Sequence, residues 1–299
     1  MWLRYAKGEV FLSHSQKGTM MVVPYQRKVF EILEAQAKAE NRRRFKYPRW
    51  VTRKSEPYDP VEVARITEGV VCKSVRTTMG SSIYLRKYTN FYVAKTYGRA
   101  ANAYTVGCCL RCIFCSVEKS RDFPERYGVF YTPRDVVQRL LRLAEERDTD
   151  KLKISGGEPT IGKEHLLSVL DLLSGADCQF ILETNGVLLG ASADYIATLR
   201  RYENLHVRVS LKAGNAQGFE ERTGALGEYY ILPFMAIKNL MDAGVDFHVA
   251  SMSDPEIMHG EERLDMLKEL KNVGYKKDIE EEKFIPYDTT MVRLRAAGR

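Results

Sequence analysis

The sequence predicts an α/β fold, a parallel sheet backed by helices, preceded by a basic α+β stretch. Two observations carry this reading. From about residue 103 onward, short apolar runs alternate with helical patterns, the rhythm of parallel strands joined by helical crossovers. Before that point the alternation is missing, and basic residues interleave with aromatics. The 299 residues, 44% hydrophobic and 28% charged, suffice for one large core or for one core with a small accessory domain. The expected division is an N-terminal extension over 1–102, an α/β body over 103–290 and a C-terminal tail over 291–299.

Residues 26–41 carry Val29, Phe30, Ile32 and Leu33 at helical spacing and predict a helix. It runs into Arg42, Arg43, Arg44, Lys46, Arg49, Arg53 and Lys54, interleaved with Phe45, Tyr47 and Trp50. Such a mixture can grip phosphates and stack bases. The plainer expectation is a solvated loop packed through its aromatics, because nothing fixes these side chains on one face. Residues 57–71 predict a proline-started helix, and 82–92 one or two strands leading as a hairpin into the α/β body. The body then reads as strand 103–106 and helix 133–146, with Thr132 as N-cap before Pro133. Strand 151–155, helix 165–173, strand 179–184, helix 195–202 and strand 207–211 follow. Helix 231–243 rests on its Ile231, Phe234, Met235, Ile237 and Leu240 stripe; strand 246–251, helix 261–273 and a short strand 283–286 close the series.

The stretch 104–116, YTVGCCLRCIFCS, places Cys108, Cys112 and Cys115 at Cys-x3-Cys-x2-Cys spacing just after the first strand of the body. Three thiolates in one short loop can wrap a face of a metal cluster, whereas full ligation takes four cysteines. No fourth lies nearby at a matching spacing, so the implied site is a [4Fe–4S] cluster with one iron left open to chelate a substrate or cofactor. Cys109, Cys112 and Cys115 form a competing Cys-x2-Cys-x2-Cys register, and a structural zinc knot is the plain alternative. Zinc wants four closed ligands, and no partner pair is evident. Four of the six cysteines crowd this loop, which argues for a metal site in a reducing compartment and against a disulfide framework. Cys178 opens an apolar run and reads as core. No apolar run approaches a membrane span and the N-terminus lacks a secretory pattern, so a cytoplasmic protein with no membrane partner is expected. The net charge of +7 and pI near 9.0 are compatible with an anionic partner such as RNA.

With Phe114 before the last cysteine, and Gly156-Gly157-Glu158-Pro159 about forty residues on, the chain resembles the radical S-adenosylmethionine (radical SAM) superfamily. The resemblance selects Cys108, Cys112 and Cys115 as cluster ligands. It implies a partial (β/α)6 barrel, with S-adenosylmethionine chelated to the open iron through its amino and carboxylate groups. One-electron reduction, from a low-potential donor of flavodoxin or ferredoxin type, would cleave the cofactor to a 5'-deoxyadenosyl radical. Phe114 belongs to the cofactor loop by this pattern. Gly156 and Gly157 lack Cβ atoms and allow close approach of backbone; that backbone and Glu158 would meet the cofactor's amino group, with Pro159 stiffening the turn.

Ligand sites in parallel α/β folds gather at the carboxyl ends of strands, where the remaining candidates fall. Glu183-Thr184-Asn185-Gly186 resembles a segment of the activase-like branch, which includes glycyl-radical activating enzymes and 7-carboxy-7-deazaguanine synthases, and would bind ribose or ammonium. Ser210 and Lys212 occupy the next strand end; Lys212 would meet the cofactor carboxylate and Ser210 the ribose, although Ser stands where the activases carry an acid. Arg222 is a candidate second carboxylate contact, against a surface ion pair. His248 is a candidate pocket residue, against a satisfied core histidine. No cysteine follows Cys178 in this sequence, unlike families with auxiliary clusters or a methyl-carrying cysteine. The expected activity is hydrogen abstraction from a protein or peptide substrate. The competing expectations are a nucleotide- or RNA-modifying enzyme and, from another class, an iron–sulfur electron carrier or RNA-binding module.

Overall fold

The computed structural model describes residues 49–117 and 119–299, together with the backbone of residues 5–6 and 9–10. The helix expected over 26–41 and the basic positions from Arg42 to Lys46 lie outside the described residues. Strands β1 (Tyr5–Ala6) and β2 (Glu9–Val10) pair antiparallel.

A nine-stranded sheet organises the rest. Its edge section is β3 (Cys72–Arg76), β4 (Ser82–Ala94) and the short β6 (Val129–Tyr131), all antiparallel to their neighbours. The parallel section runs β5 (Ala100–Thr105), β7 (Lys151–Gly156), β8 (Gln179–Thr184), β9 (Leu205–Leu211), β10 (Phe247–Ser251) and β11 (Ile279–Glu281), adjacent in that order. These are the six strands of a partial barrel, and the sheet is open. The helices of the described residues are α1 (Pro60–Val71), α2 (Lys119–Asp122), α3 (Pro133–Glu146), α4 (Lys163–Leu173), α5 (Val187–Ala191), α6 (Ala193–Leu199), α7 (Ala216–Thr223), α8 (Ile231–Ala243), α9 (Gly260–Asn272) and α10 (Asp288–Ala296). None is long and apolar enough to cross a membrane.

Strands buried on both faces normally read as continuous apolar runs. Here they alternate. Leu152, Ile154, Phe180, Leu182, Val207, Val209 and Val249 pack with the helices into the main core. The opposite face carries Lys153, Ser155, Glu183, Arg208, Ser210 and His248, and the register sets Glu183 and His248 on either side of Arg208. The period-two pattern assigns each strand a dry outer face and a charged inner one.

Caps fix several helix starts. Asp59 accepts from the backbone N–H groups of Val61 and Glu62 ahead of Pro60, and Thr132 forms a capping box with Asp135. Helix 195–202 of the sequence reading is displaced to Ala193–Leu199 because Ser192 caps it. The expected strands of 82–92 are one thirteen-residue strand, β4, whose first half pairs with β3 and second half with β5. The closing strand is Ile279–Glu281, not 283–286. Beyond it Phe284 turns into the apolar cluster around the cysteine loop, with its N–H on Asp254, and Pro286 has no N–H to give a ladder.

Candidate active site

The cysteine loop leaves the carboxyl end of β5. Gly107, at φ +81, turns the chain against α1, where a Cβ would meet Thr67 at 2.6 Å. The Gly-Gly-Glu-Pro turn after β7 is zipped onto this entry. Gly157 N–H donates to Thr105 O (3.0 Å) and Glu158 N–H to Gly107 O (2.7 Å). A Cβ on Gly157 would stand 1.9 Å from Gly107 O, so its missing side chain is required first by the loop's own backbone. The far side is held by α7, whose Arg222 and Thr223 carbonyls accept from the N–H groups of Ile113 and Arg111, both at 2.9 Å.

Thus held, Cys108, Cys112 and Cys115 line one cavity of about 190 Å³ with Phe114, Gly156, Gly157, Glu158, Glu183, Thr184, Asn185, Ser210 and Lys212. Cys109 is fully buried and is absent from that lining. The register with Cys108 is therefore the one that faces the cavity. The neighbouring Cys109 thiol lowers Cys108, while burial pushes Cys112 up to about 12 against the pull of Lys212. Asn185 Nδ2 reaches Cys109 Sγ at 3.3 Å and Cys108 Sγ at 3.7 Å.

Behind the wall, Glu158 is an organiser. Its buried carboxylate accepts from Thr160 N–H (3.1 Å) and Thr160 Oγ1 (2.6 Å), and from Thr184 Oγ1 (2.7 Å) and Asn185 N–H (2.8 Å). The end of β7 is thereby fastened to the end of β8. Across the cavity, Lys212 Nζ donates to Ser210 Oγ (2.6 Å), which donates to Glu282 (2.9 Å). Arg208 donates to both Glu280 and Glu282 at 2.9 Å. Burial would raise Glu282, but Lys212 and Arg208 outweigh it and hold the carboxyl at about 2.

Three expected cofactor residues stand off this wall. Pro159 is buried behind the turn, at the start of a 3-10 segment. Arg222, 2% exposed, is consumed by bonds to Glu262 and to the carbonyls of Ile257 and Lys212. It is a buried ion pair that supports the cysteine loop. His248 lies further down the inner face, between His206 (2.6 Å) and Glu280 (2.9 Å). Three charged wall residues escaped the sequence reading, Arg121, Arg208 and Glu282. Arg208 was available from alternation, two positions before Ser210; Glu282 was hidden by misplacing the last strand.

A second cavity, about 860 Å³, adjoins the first and shares Ser116, Val117, Gly156 and Glu183 with it. It lies under β4 and the start of α10, walled by Asn90, Tyr92, Tyr104, Lys153 and Tyr287.

The profile of the radical SAM superfamily matches residues 102–280, more than half of the chain. The chain belongs to that superfamily. It is accordingly an enzyme whose cofactors are a [4Fe–4S] cluster and S-adenosylmethionine. The donors on that wall suit such a cluster in kind: three thiols, with no other cysteine or histidine among the described residues there, would leave one iron open. Curated relatives include a probable GTP 3',8-cyclase of Methanococcus vannielii, 30% identical over 120 residues, 40% of this chain and 38% of that protein. The GTP 3',8-cyclase of Peptoclostridium acidaminophilum is 31% identical over 130 residues, 42% and 38% of the two chains. These alignments span well under half of either relative. Among solved structures, Streptococcus suis SuiB bound to S-adenosylmethionine is similar over 60% of this chain and 39% of its own (16% identity, TM-score 0.48). TYW1 with a lysine-pyruvate adduct bound is similar over 62% and 65% (14% identity, TM-score 0.47).

Proposed function

We propose that the smaller cavity holds S-adenosylmethionine against the cluster and that the larger one receives a near-neutral polar substrate group, such as a residue of a peptide or protein. When bound, cluster and cofactor supply a 5'-deoxyadenosyl radical, which takes a hydrogen atom from the substrate. The observation that carries the reading is the shared wall, which sets the two sites side by side within one interior. In the smaller cavity Asn185 and Lys212 offer donors to the cofactor's polar groups, while Gly156, at φ +101, is required by the turn itself, where a Cβ would stand 2.8 Å from Tyr104 and from Thr105 N. The roles of Gly157, Glu158 and Thr184 are to hold this end of the barrel closed.

The substrate class follows from charge. The larger cavity carries two cations, Lys119 and Lys153, and two carboxylates, Glu183 and Asp288. Lys153 is bonded to Glu183 (3.1 Å) and Thr96 (3.0 Å). A triphosphate calls for several uncompensated, preferably bidentate, cations, so this wall favours a neutral group with aromatic contacts on Tyr92 and Tyr104. The second reading, a nucleotide or RNA substrate, is favoured by the names of the curated relatives. A flavodoxin- or ferredoxin-type protein would deliver the electron.

The test is anaerobic reconstitution with iron and sulfide, reduction, addition of S-adenosylmethionine and assay of 5'-deoxyadenosine. Deuterated peptides and deuterated nucleotides are then compared for label transfer into 5'-deoxyadenosine. Transfer from peptides supports the first reading and transfer from nucleotides the second. An intact cluster that yields no 5'-deoxyadenosine under any condition sinks both.

A further inference from the structure

The carbonyl of each ligand cysteine is taken by a different guanidinium. Arg111 Nη1 donates to Cys108 O (2.8 Å), Arg121 Nη1 to Cys112 O (2.8 Å) and Arg293 Nη1 to Cys115 O (2.6 Å). Arg111 belongs to the loop itself, Arg121 to α2 and Arg293 to α10. The last two are locked by one carboxylate. Asp122, 1% exposed, accepts from Arg121 Nε (2.8 Å) and Nη2 (2.6 Å) through one oxygen and from Arg293 Nη2 (2.6 Å) through the other. Thr290 adds a second bond from α10 to Cys115 O (3.1 Å).

We propose that Asp122, Arg121 and Arg293 form a clamp that positions the cysteine loop and raises the reduction potential of the cluster it holds. The physical argument has two parts. Carbonyls bonded from behind restrain the loop backbone and so fix where each cysteine's Cα–Cβ bond points. A buried guanidinium close to a ligand residue acts across a dry interior that screens little, and it favours whichever cluster state is more negative. Accepting an electron makes the cluster more negative, and charge and hydrogen bonding near the ligands are established levers on iron–sulfur potentials. Arg121, at the rim of the smaller cavity, and Arg293, outside its lining, thus act through the loop as positioning residues.

The experiment is an EPR-monitored redox titration of the reconstituted full chain without S-adenosylmethionine, with iron and sulfide content measured alongside. Arg293→Gln removes a positive charge and is expected to lower the potential, with about tenfold less cluster reduced at a fixed potential, equivalent to about 59 mV for a one-electron couple. Asp122→Asn removes a negative charge at the same place and is expected to shift the potential the opposite way. A merely structural role would move both variants in one direction or neither, and either result overturns the proposal. Should Asp122→Asn fail to fold, Arg293→Lys replaces it. That variant keeps the charge, so its potential is expected to stay with the parent while Arg293→Gln falls. Equal shifts in the two Arg293 variants reject the clamp's electrostatic role.

Discussion

The two cavities are held together by different means. The smaller is laced internally: Glu158 joins β7 to β8, and the Arg208, Ser210, Lys212 and Glu282 set joins β9 to the end of β11. Nearly every polar group there has a partner inside the wall. The larger is walled by tyrosines and by short polar side chains from β4, β5 and the loop before α10, with one interior ion pair, Lys153 to Glu183. A site that serves one fixed cofactor can afford rigid, mutually satisfied walls, because preorganised donors need no rearrangement at the moment of reaction. A site for the variable partner is better left with surfaces that stack and donate without committing every group.

This contrast can be broken at several points. The largest effect is expected from Cys112→Ala, which removes a ligand from the smaller cavity. Iron content should fall and 5'-deoxyadenosine formation should drop to background, whereas Cys109→Ala, on the core side, should keep both. A Cys109→Ala variant that cannot hold iron would overturn the assignment of the register. Next comes Glu158→Ala. Losing a buried carboxylate that satisfies four donors should cost about 3–5 kcal/mol, read as a lower midpoint in denaturant; a change near zero would show that β7 and β8 need no such fastening.

Acid should separate the two regions in order. His165 ties α4 to β4, the strand that also walls the larger cavity, donating from Nδ1 to Tyr84 O (2.7 Å) and accepting at Nε2 from Tyr88 OH (3.0 Å). Burial lowers it from 6.5 to about 4. The unfolded chain therefore binds the proton first, so this stability is complete above pH 6.5 and is lost as pH falls toward 4, roughly 3 kcal/mol in all. Glu282, held at about 2 from 4.5, contributes stability present above 4.5 and lost only as pH falls toward 2. Amide exchange should open β4 before β9; simultaneous opening would mean that neither titration governs its region. The smallest effect is expected from Tyr92→Ala, on the larger cavity alone. The 5'-deoxyadenosine formed without substrate should stay within about twofold, while substrate KM rises about tenfold, the loss of one aromatic contact.

The same contrast explains how much of the molecule was legible in the sequence. The cofactor side is written in short continuous words, at 108–115, 156–159 and 183–186, because one loop or one strand end delivers several groups at once. The parallel strands were legible from alternation, and β8 matches the reading residue for residue. The larger cavity takes its wall from positions between Thr89 and Thr289 that only the topology brings together. Arg121 and Arg293 were invisible for the same reason. Arg222 and His248 do not line the smaller cavity, because a position near a strand end assigns a face and not a depth. Both lie on elements near the site, but Glu262 and the His206–Glu280 pair had already claimed them.

One more property follows from β11. An open barrel leaves a margin of unpaired backbone, and such a margin is a template on which a second chain can add a strand. Among the described residues the margin on the β11 side is three residues long, Ile279–Glu281, and Glu280, Glu281 and Glu282 are followed by Lys283. Glu280 and Glu282 are drawn inward onto Arg208, and Glu281 pairs outward with Arg263. An incoming strand would have to displace these charges to gain a few ladder bonds. The residues that brace the interior thereby discourage strand addition at the β11 edge.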